Sequence, residues 1–260
     1  MKLPKCSLGF LLLALVFVCI GQLFSPKETI ILSKIHLSPS FSHPFGTDDL
    51  GRDLFLLCCN GLKTSLTIGL IAAFFDLFIG VPYGALAGFY EGSLSVAMLR
   101  LADILHIIPL ILQILLFMSI FGSGLFPIVL SLFLSSWTTM ARVVSSQARI
   151  LRSKPFVLYA NMMGASYLHI FSTHLLKNLW TFITPILTYT IPKAVFTEAF
   201  LSFLGMGISP PASSLGMLIA QGMATMEFFP WRLFFPSLLL FAVLLSLHNV
   251  GNFLQRDAPL

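Results

Sequence analysis

Long apolar runs separated by short polar stretches dominate this sequence. Six runs stand out, at 8–24, 63–90, 99–121, 125–144, 179–204 and 232–254. Each approaches or exceeds the roughly 20 residues that a helix needs to cross a bilayer. Backbone groups in hydrocarbon must be satisfied within their own segment, which favours helices. The pattern therefore predicts an all-α integral membrane protein with about six transmembrane helices, whose main solvent is the lipid bilayer.

The composition excludes an ordinary soluble protein. Hydrophobic residues make up 57% and charged residues only 10% of the chain, and its mean hydropathy is +0.94, whereas about a quarter of the residues in soluble domains are charged. The net charge of +5 comes from basic residues scattered between apolar runs. They form no continuous stripe that could follow phosphates, so nucleic acid is not a predicted partner.

The first apolar run follows Lys2 and Lys5 and resembles a secretory signal. No small-x-small cleavage site follows it. Lipoprotein processing at Cys19 is also disfavoured, because Phe17 and Val18 are bulky where small residues are needed. We expect this run to be kept as a membrane anchor.

Two long connections remain, at 25–62 and at about 145–178. Lysine and arginine in loops favour the cytoplasmic side. With the N-terminus inside, nine basic residues lie in the cytoplasm and four lie outside. The nine are Lys2, Lys5, Arg100, Arg142, Arg149, Arg152, Lys154, Lys177 and Arg256. The 25–62 connection is therefore expected outside, and the 145–178 connection and both termini inside.

Small residues and prolines indicate how the helices pack. Gly80, Gly84 and Gly88 recur every four residues, which places them on one helix face where another backbone can approach closely; the alternative is a chance placement. Pro185 and Pro192 each remove a backbone hydrogen bond from the fifth run. We expect a broken helix there, lining a cavity.

The outside connection contains the string HPFGTDDLGRD at 43–53, which is rich in turn-forming residues. It resembles the signature before the second helix in C-type permeases of the oligopeptide, dipeptide and nickel class of ABC importers. In that family the flanking external region faces the substrate-binding protein. The resemblance implies such a role for Gly46, Thr47, Asp48, Gly51, Arg52 and Asp53. The alternative is a capped loop that only positions the second helix.

The inside connection carries an apolar stripe at helical spacing, formed by Phe156, Ala160, Met163, Tyr167 and Ile170. In a cytoplasmic loop such a stripe needs a partner. The segment resembles the EAA loop of ABC importer permeases, which docks as a coupling helix in a cleft of the ATPase. The coupling residues that this implies are Phe156, Ala160, Met163, Gly164, Ala165, Ser166 and His174.

This segment also departs from the family pattern. Leu158 stands in place of the opening glutamate, Tyr159 in place of the alanine and Lys177 in place of a proline. The departures predict docking by shape and apolar burial, or a changed partner. The alternative is an interfacial helix that lies on the membrane surface.

Further matches follow in family order. The stretch 198–211 resembles the family after its fifth helix, and Met98, Arg100, Asp103 and Pro109 match at the third. The resemblance covers about residues 41–258 and implies the type I permease fold of ABC importers. It divides the chain into an anchor with an external loop, 1–62, and a permease domain, 63–260. It also implies a location in the bacterial inner membrane.

Ionisable residues inside the predicted spans are candidates for a translocation path, because an unpaired charge at mid-bilayer is costly. Asp76, Lys193 and Glu198 qualify. Lys193 and Glu198 are five residues apart and do not share a helix face. Either could meet a peptide terminus or pair with another subunit. Arg100 and Asp103, three apart, are expected to form a local ion pair.

No catalytic or metal site is predicted. The phosphate-binding pattern GxxxxGK[ST] is missing, so ATP and Mg²⁺ are expected on a separate ATPase. His169 and His174 do not share a helix face. The cysteines, which lack a CxxC pair, are expected to be apolar packing residues; they are Cys6, Cys19, Cys58 and Cys59.

The family resemblance implies a set of partners and a mechanism. The partners are a homologous B-type permease, two cytoplasmic ATPases and an extracytoplasmic substrate-binding protein. The implied function is import of oligopeptides or dipeptides by ATP-driven alternating access. The alternatives are import of nickel or another small solute, a secondary transporter, which predicts inverted repeats, and a membrane enzyme, which needs converging catalytic groups.

Overall fold

The computed structural model describes residues 34–208 and 212–256. Within these ranges the chain is helical and contains no strand, apart from an isolated bridge between Thr47 and Asp53. The predicted anchor at 8–24, with Cys6 and Cys19, lies outside the described residues. The all-α fold class is therefore confirmed for the described part of the chain.

The helices follow one another in an order that we number along the chain. They are α1 (Leu54–Phe75), a π-helical turn (Asp76–Gly80), α2 (Val81–Phe89), α3 (Ser93–Ile107), α4 (Leu110–Phe121), α5 (Leu125–Arg152), α6 (Pro155–Met162), α7 (Tyr167–Ile170), a second π-helical turn (Phe171–Leu175), α8 (Leu176–Phe203), α9 (Leu215–Ala224) and α10 (Trp231–Arg256).

Three described helical segments are long and apolar enough to cross a bilayer by themselves: Leu54–Phe89, Leu125–Arg152 and Trp231–Phe253. The bent pair α3 and α4 would make a fourth span. Helix α8 has 28 residues, enough length to cross, but it falls short of the same apolar composition. Two helix ends differ most from the prediction: α1 begins at Leu54 rather than 63, and α5 ends at Arg152 rather than 144.

The predicted span at 99–121 is sharply bent, because α3 and α4 meet at an angle of 75°. Pro109 lacks the N–H that would bond the carbonyl of Leu105, and it holds Ile108 in an extended conformation. The Gln113 side chain supplies the missing donor. Its Nε2 donates to the carbonyls of Ile108 (3.0 Å) and Leu105 (3.3 Å), and its Oε1 accepts from the Ser135 hydroxyl of α5 (2.8 Å).

The glycines spaced four apart allow the α1–α2 segment to lie against α5. A Cβ atom added to Gly84 would lie 2.4 Å from the carbonyl oxygen of Ala141, and one on Gly88 would lie 2.3 Å from that of Ser145. A Cβ on Gly80 would also meet α5, at 2.8 Å. The predicted close packing on this face is confirmed.

Five helices converge in one apolar cluster at the end of the bundle that carries α6. Val81 of α2, Val144 of α5, Val157 of α6 and Leu179 of α8 are all buried there, with Ile170 of α7. Val157, the one fully buried side chain of α6, anchors this short helix in the cluster.

Candidate functional site

The signature loop at 43–53 is held together by its own side chains. Oδ1 of Asp48 accepts hydrogen bonds from the backbone N–H groups of Leu50 (2.9 Å) and Arg52 (2.8 Å), while Oδ2 accepts from Nε of Arg52 (2.8 Å). Oγ1 of Thr47 accepts from the N–H of Leu37 at 2.8 Å. Thr47 and Asp48 are buried, so these polar groups stabilise the loop from within.

The remaining signature residues shape the entry into α1. Gly46 and Gly51 have positive φ values of 78° and 72°, a conformation that glycine adopts without strain. Asp53 caps α1, since its Oδ1 accepts from the N–H of Phe55 (2.8 Å), and its Oδ2 lies 2.8 Å from Nδ1 of His43. The string thus encodes a helix-capping loop.

A buried arginine that sequence reasoning missed joins this loop to α10. Arg232 is only 2% exposed and donates two hydrogen bonds to the Asp49 carboxylate, one of them at 2.8 Å. His36 stacks on Phe229 with ring centroids 4.1 Å apart, beside the same pair. These bonds lower the pKa of the Asp49 carboxyl. The pair is 183 residues apart in sequence, so no local signal indicates it.

The structure places four of the residues predicted to face the binding protein in the interior of the loop. Gly46, Thr47, Asp48 and Gly51 are buried, and they cannot meet a binding protein without opening the loop. Exposed apolar side chains are Leu50 within the loop and Phe41 just before it.

The inside connection forms two helices joined by a tight turn. At the end of α6 the N–H of Ala165 bonds the carbonyl of Ala160 (3.0 Å) and the N–H of Gly164 bonds that of Asn161 (3.0 Å), the pattern of a Schellman motif. Gly164 has the positive φ (78°) that this motif needs. Ser166 then caps α7 by accepting from the N–H of His169 (3.4 Å).

Three of the implied coupling residues, Gly164, Ala165 and Ser166, therefore build the turn. The bend expected at the Gly164–Ala165 pair is present. The close approach that was expected at Gly164 is not present within the described chain, because a Cβ added there would have no neighbour within 4 Å. His174 lies in the π-helical turn Phe171–Leu175.

The predicted continuous stripe is wrong, because the turn at Gly164 separates its members. Ile170 is buried and Ala160 packs on the core, whereas Met163 is 86% exposed. The apolar face that is exposed consists mainly of other residues. We call it the α6 apolar face: Leu158, Tyr159, Met162 and Met163, with Phe156 at its edge.

Tyr167 fixes the second helix against the end of α2. Its ring makes an edge contact with Phe89 (centroids 4.9 Å apart) and stacks on Tyr90 (5.7 Å). Burial raises the pKa of the Tyr167 hydroxyl to about 12. Glu91, next to Tyr90, pairs with Arg152 at the end of α5, and the Nη1 of Arg152 donates to the Phe89 carbonyl at 2.9 Å. This end of the bundle is thus firmly joined to the helix before α6.

A cavity of about 360 Å³ opens beside the bend between α3 and α4. Side chains from five helices line it. They are apolar on one part of the wall (Ala72, Leu110, Leu132, Ile186 and Ala194) and polar on another (His106, Ser135, Ser136, Thr139, Tyr189, Thr190, Lys193 and Thr197). Helix α8 is continuous through Pro185 and Pro192, so the expected break is wrong, although the helix does line a cavity.

The three ionisable candidates lie in different environments. Lys193 lines the cavity and is exposed. Asp76 is buried behind it and accepts a hydrogen bond from the Thr190 hydroxyl. Glu198 is fully buried, and its carboxylate accepts from the hydroxyls of Ser65 (2.7 Å) and Ser202 (2.7 Å). Glu198 therefore joins α8 to α1 and lies outside the cavity.

The expected local pair between Arg100 and Asp103 is also wrong. Asp103 bonds Nη2 of Arg142 on α5 at 2.9 Å. This pair joins α3 to the helix that leads to α6.

Comparison with known proteins identifies the chain's relatives. The family described as "Binding-protein-dependent transport system inner membrane component" matches residues 80–257. The oligopeptide transport system permease protein OppC of Bacillus subtilis is 37% identical over 259 residues, which are 99% of this chain and 85% of the relative. The dipeptide transport system permease protein DppC of the same organism is 37% identical over 257 residues, 98% of this chain and 80% of the relative.

The fold also has a solved counterpart. A chain from the inward-facing MetNI methionine ABC transporter superposes with a TM-score of 0.62 at 19% identity, covering 78% of this chain and 97% of that one. The resemblance to ABC importer permeases that the motifs carry is confirmed by these relatives. The chain belongs to the family of inner membrane components of binding-protein-dependent transport systems, and it is a permease subunit of an ABC transporter.

Proposed function

We propose that this chain is the C-type permease half of a peptide importer. It pairs with a homologous B-type permease to enclose a path, receives oligopeptides or dipeptides from an extracytoplasmic binding protein, and is driven by two cytoplasmic ATPases that hold ATP and Mg²⁺. The functions of its relatives, oligopeptide and dipeptide transport, support the substrate class.

The α6 apolar face carries this proposal. Met162 and Met163 are 84% and 86% exposed, and Tyr159 is 66% exposed. Burial of one large apolar side chain stabilises a complex by about 1.5–3 kcal/mol relative to its exposure to water. Several such side chains on one short helix therefore favour a protein partner.

The departures from the family pattern support apolar docking. Leu158 and Tyr159, which replace the expected glutamate and alanine, both lie on this exposed face. We infer that the ATPase cleft here receives an apolar helix and needs no cationic partner for a glutamate.

The connection of α6 to the bundle supports a coupling role. Val157 is completely buried in a cluster that also contains residues of α2, α5 and α8, so we infer that a force on α6 reaches these helices through the cluster. The ATPase must bind the two conformations of the permease with different affinity, because a partner that binds both equally shifts no population.

The test is an apolar-to-acidic substitution on this face. Met162→Glu introduces a charge that must be desolvated in the docked state, so we expect at least a tenfold loss of ATPase copurification from detergent extracts and loss of uptake. Phe41→Glu makes the same kind of change on the external loop, where Phe41 is also exposed, and it serves as the matched control. Retention of the ATPase by the Met162→Glu chain would refute the docking role.

The orientation has its own test. In intact cells Met162→Cys is expected to react with a membrane-impermeant thiol reagent only after the membrane is permeabilised. The parent chain, whose described cysteines Cys58 and Cys59 are buried, gives the background. Labelling of residue 162 from outside would contradict the proposed topology.

A further inference from the structure

Lys193 is the feature of the cavity that needs explanation. It lies about two-thirds of the way along α8, and its side chain reaches the cavity. Over the described residues no carboxylate lies within 4 Å of its ammonium group. An unpaired ammonium inside a membrane span costs several kcal/mol. This cost is avoided only if the ammonium meets water, a ligand or another subunit.

The acidic residues nearest in the fold have other partners. Asp76 accepts a hydrogen bond from the Thr190 hydroxyl, and it interacts with Lys193 only electrostatically, at more than 4 Å. Glu198 accepts from the hydroxyls of Ser65 and Ser202. The residues that line the cavity include no aspartate or glutamate. The cavity therefore has a cationic polar wall and nothing that would bind an ammonium group as an ion pair.

The other polar groups of the cavity can also form hydrogen bonds with a ligand. Thr138 donates its single hydroxyl proton to the Ser135 carbonyl (2.7 Å), so its oxygen accepts from Nδ1–H of His106, 3.0 Å away. In the neutral ring, Nε2 of His106 then has a lone pair for a ligand N–H. The hydroxyl of Thr139 lines the cavity beside it.

The apolar wall and the volume limit the size of the ligand. Leu132 and Ile186 provide a surface for an aliphatic or aromatic side chain. A volume of about 360 Å³ is near the lower end of the range for ligand pockets. It suits one terminal residue better than a whole oligopeptide.

We propose that this cavity receives the C-terminal residue of the transported peptide, with the Lys193 ammonium on its carboxylate. This inference rests on the peptide-import function proposed above. It assigns Lys193 a role in specificity, namely preference for a free C-terminal carboxylate over a neutral C-terminal amide.

The experiment compares a tripeptide with its C-terminal amide in proteoliposomes that contain the complete importer. Each peptide is supplied at a concentration that saturates the binding protein, so that the selectivity of the binding protein does not enter the rate. In the wild type we expect the acid to be imported about tenfold faster than the amide, the size of a hydrogen bond to a charged group.

Substitutions of Lys193 then separate charge from structure. Lys193→Met is expected to lower the acid-to-amide ratio to about one, through loss of acid transport, and Lys193→Arg is expected to preserve the ratio. Lys63→Met, which removes an exposed lysine from α1 outside the cavity, is the matched control and should leave the ratio unchanged.

A chemical version of this experiment does not depend on whether the Lys193→Met chain inserts into the membrane. Lys193→Cys is inserted first and then treated with aminoethyl methanethiosulfonate, which restores a positive charge, or with the neutral methyl reagent. Only the charged adduct should recover acid preference, and treatment of the parent chain shows whether its native cysteines contribute.

Three results would overturn the assignment. A ratio that is the same in the wild type and in Lys193→Met would show that the lysine does not contact the carboxylate. Equal losses for acid and amide would show instead that Lys193 pairs with a carboxylate of the partner permease. Wild-type vesicles without ATP-driven uptake of either peptide would refute the import function itself, and this assignment with it.

Discussion

Replacement of Gly84 by alanine tests whether backbone contact between α2 and α5 holds the bundle together. The added Cβ would lie 2.4 Å from the carbonyl oxygen of Ala141, 2.9 Å from its Cα and 2.9 Å from Cβ of Val144. Ordinary contacts begin near 3.4 Å, so the helices must separate by about 1 Å. Two of these three atoms belong to the backbone and cannot rotate away.

The expected magnitude is the difference of two opposing effects. Overpacking of a tight interface typically costs about 1–3 kcal/mol, and rigid backbone atoms place this site near the upper end. Alanine is favoured over glycine within a helix by about 1 kcal/mol. We therefore expect a net loss of about 2 kcal/mol, which corresponds to a melting temperature lower by about 4–8 °C for a chain of this size.

The matched control is Gly69→Ala on α1, in the same continuous span. There the nearest atoms are methyl groups of Ile191 (2.9 Å) and Val195 (3.1 Å), followed by a carbonyl oxygen at 3.2 Å. These methyl groups belong to β-branched side chains that turn little about χ1, but they need to move by only about 0.5 Å to reach an ordinary contact distance, so the helix preference should offset much of the cost. We expect a change of less than about 1 kcal/mol.

The assay is thermal unfolding of the detergent-solubilised chain, followed by the loss of its monodisperse elution peak. A second-site Ala141→Gly change should not rescue Gly84→Ala, because the crowded atoms of residue 141 are its oxygen and Cα, which glycine keeps. A Gly84→Ala chain at least as stable as Gly69→Ala would refute the argument that backbone approach limits this interface.

Two further predictions concern the bend and the external loop. Gln113→Leu leaves the carbonyls of Leu105 and Ile108 without their side-chain donor. Each unsatisfied buried group costs about 1–3 kcal/mol, so we expect a clear fall in the melting temperature. The melting temperature of Gln113→Glu, whose carboxyl is protonated in the membrane and can donate, should fall less. The hydrogen bonds from Arg232 lower the pKa of Asp49, so their stabilisation is fully present above the unfolded pKa, about 3.9, and is lost as the pH falls through the folded value. The melting difference between wild type and Asp49→Asn should therefore be large at pH 6 and shrink towards about pH 3; a difference independent of pH would contradict this ion pair.

Local chemistry in the sequence was sufficient to predict some features. The glycine spacing at 80, 84 and 88 indicated a packed face, and the structure confirms it. The residue before Pro109 is extended, as proline requires of its predecessor. The hydropathy of 99–121 nevertheless gave no sign of the bend, because apolar residues continue on both sides of the proline. Only the side chain of Gln113, which replaces the missing hydrogen-bond donor, marks the compensation.

Pairings between distant residues could not be predicted from a single sequence. Asp49 with Arg232 and Glu198 with Ser65 join residues 183 and 133 positions apart, and each side chain had several plausible partners. The prediction of a continuous apolar stripe in the 145–178 connection was wrong for a local reason. Helical spacing was continued through Gly164, although a glycine with a positive φ ends a helix and rotates the following residues onto another face.

The geometry of α5 explains how the short helix α6 and the cavity can respond to each other. Ser135 and Thr139 line the cavity, and the same uninterrupted helix continues to Arg152, just before α6. At 1.5 Å per residue, about 20 Å separate Thr139 from that end.

A continuous helix carries displacement over this distance without an intermediate hinge, and the glycine contacts with α2 oblige α2 to follow. We therefore expect movement of α6 towards an ATPase to shift the cavity wall that carries Thr139 relative to Lys193 on α8. A disulfide or short crosslink between those two walls should then block uptake while α6 still binds its partner, which separates docking from the change in the path. Full uptake in the crosslinked importer would show that these walls do not move in the transport cycle.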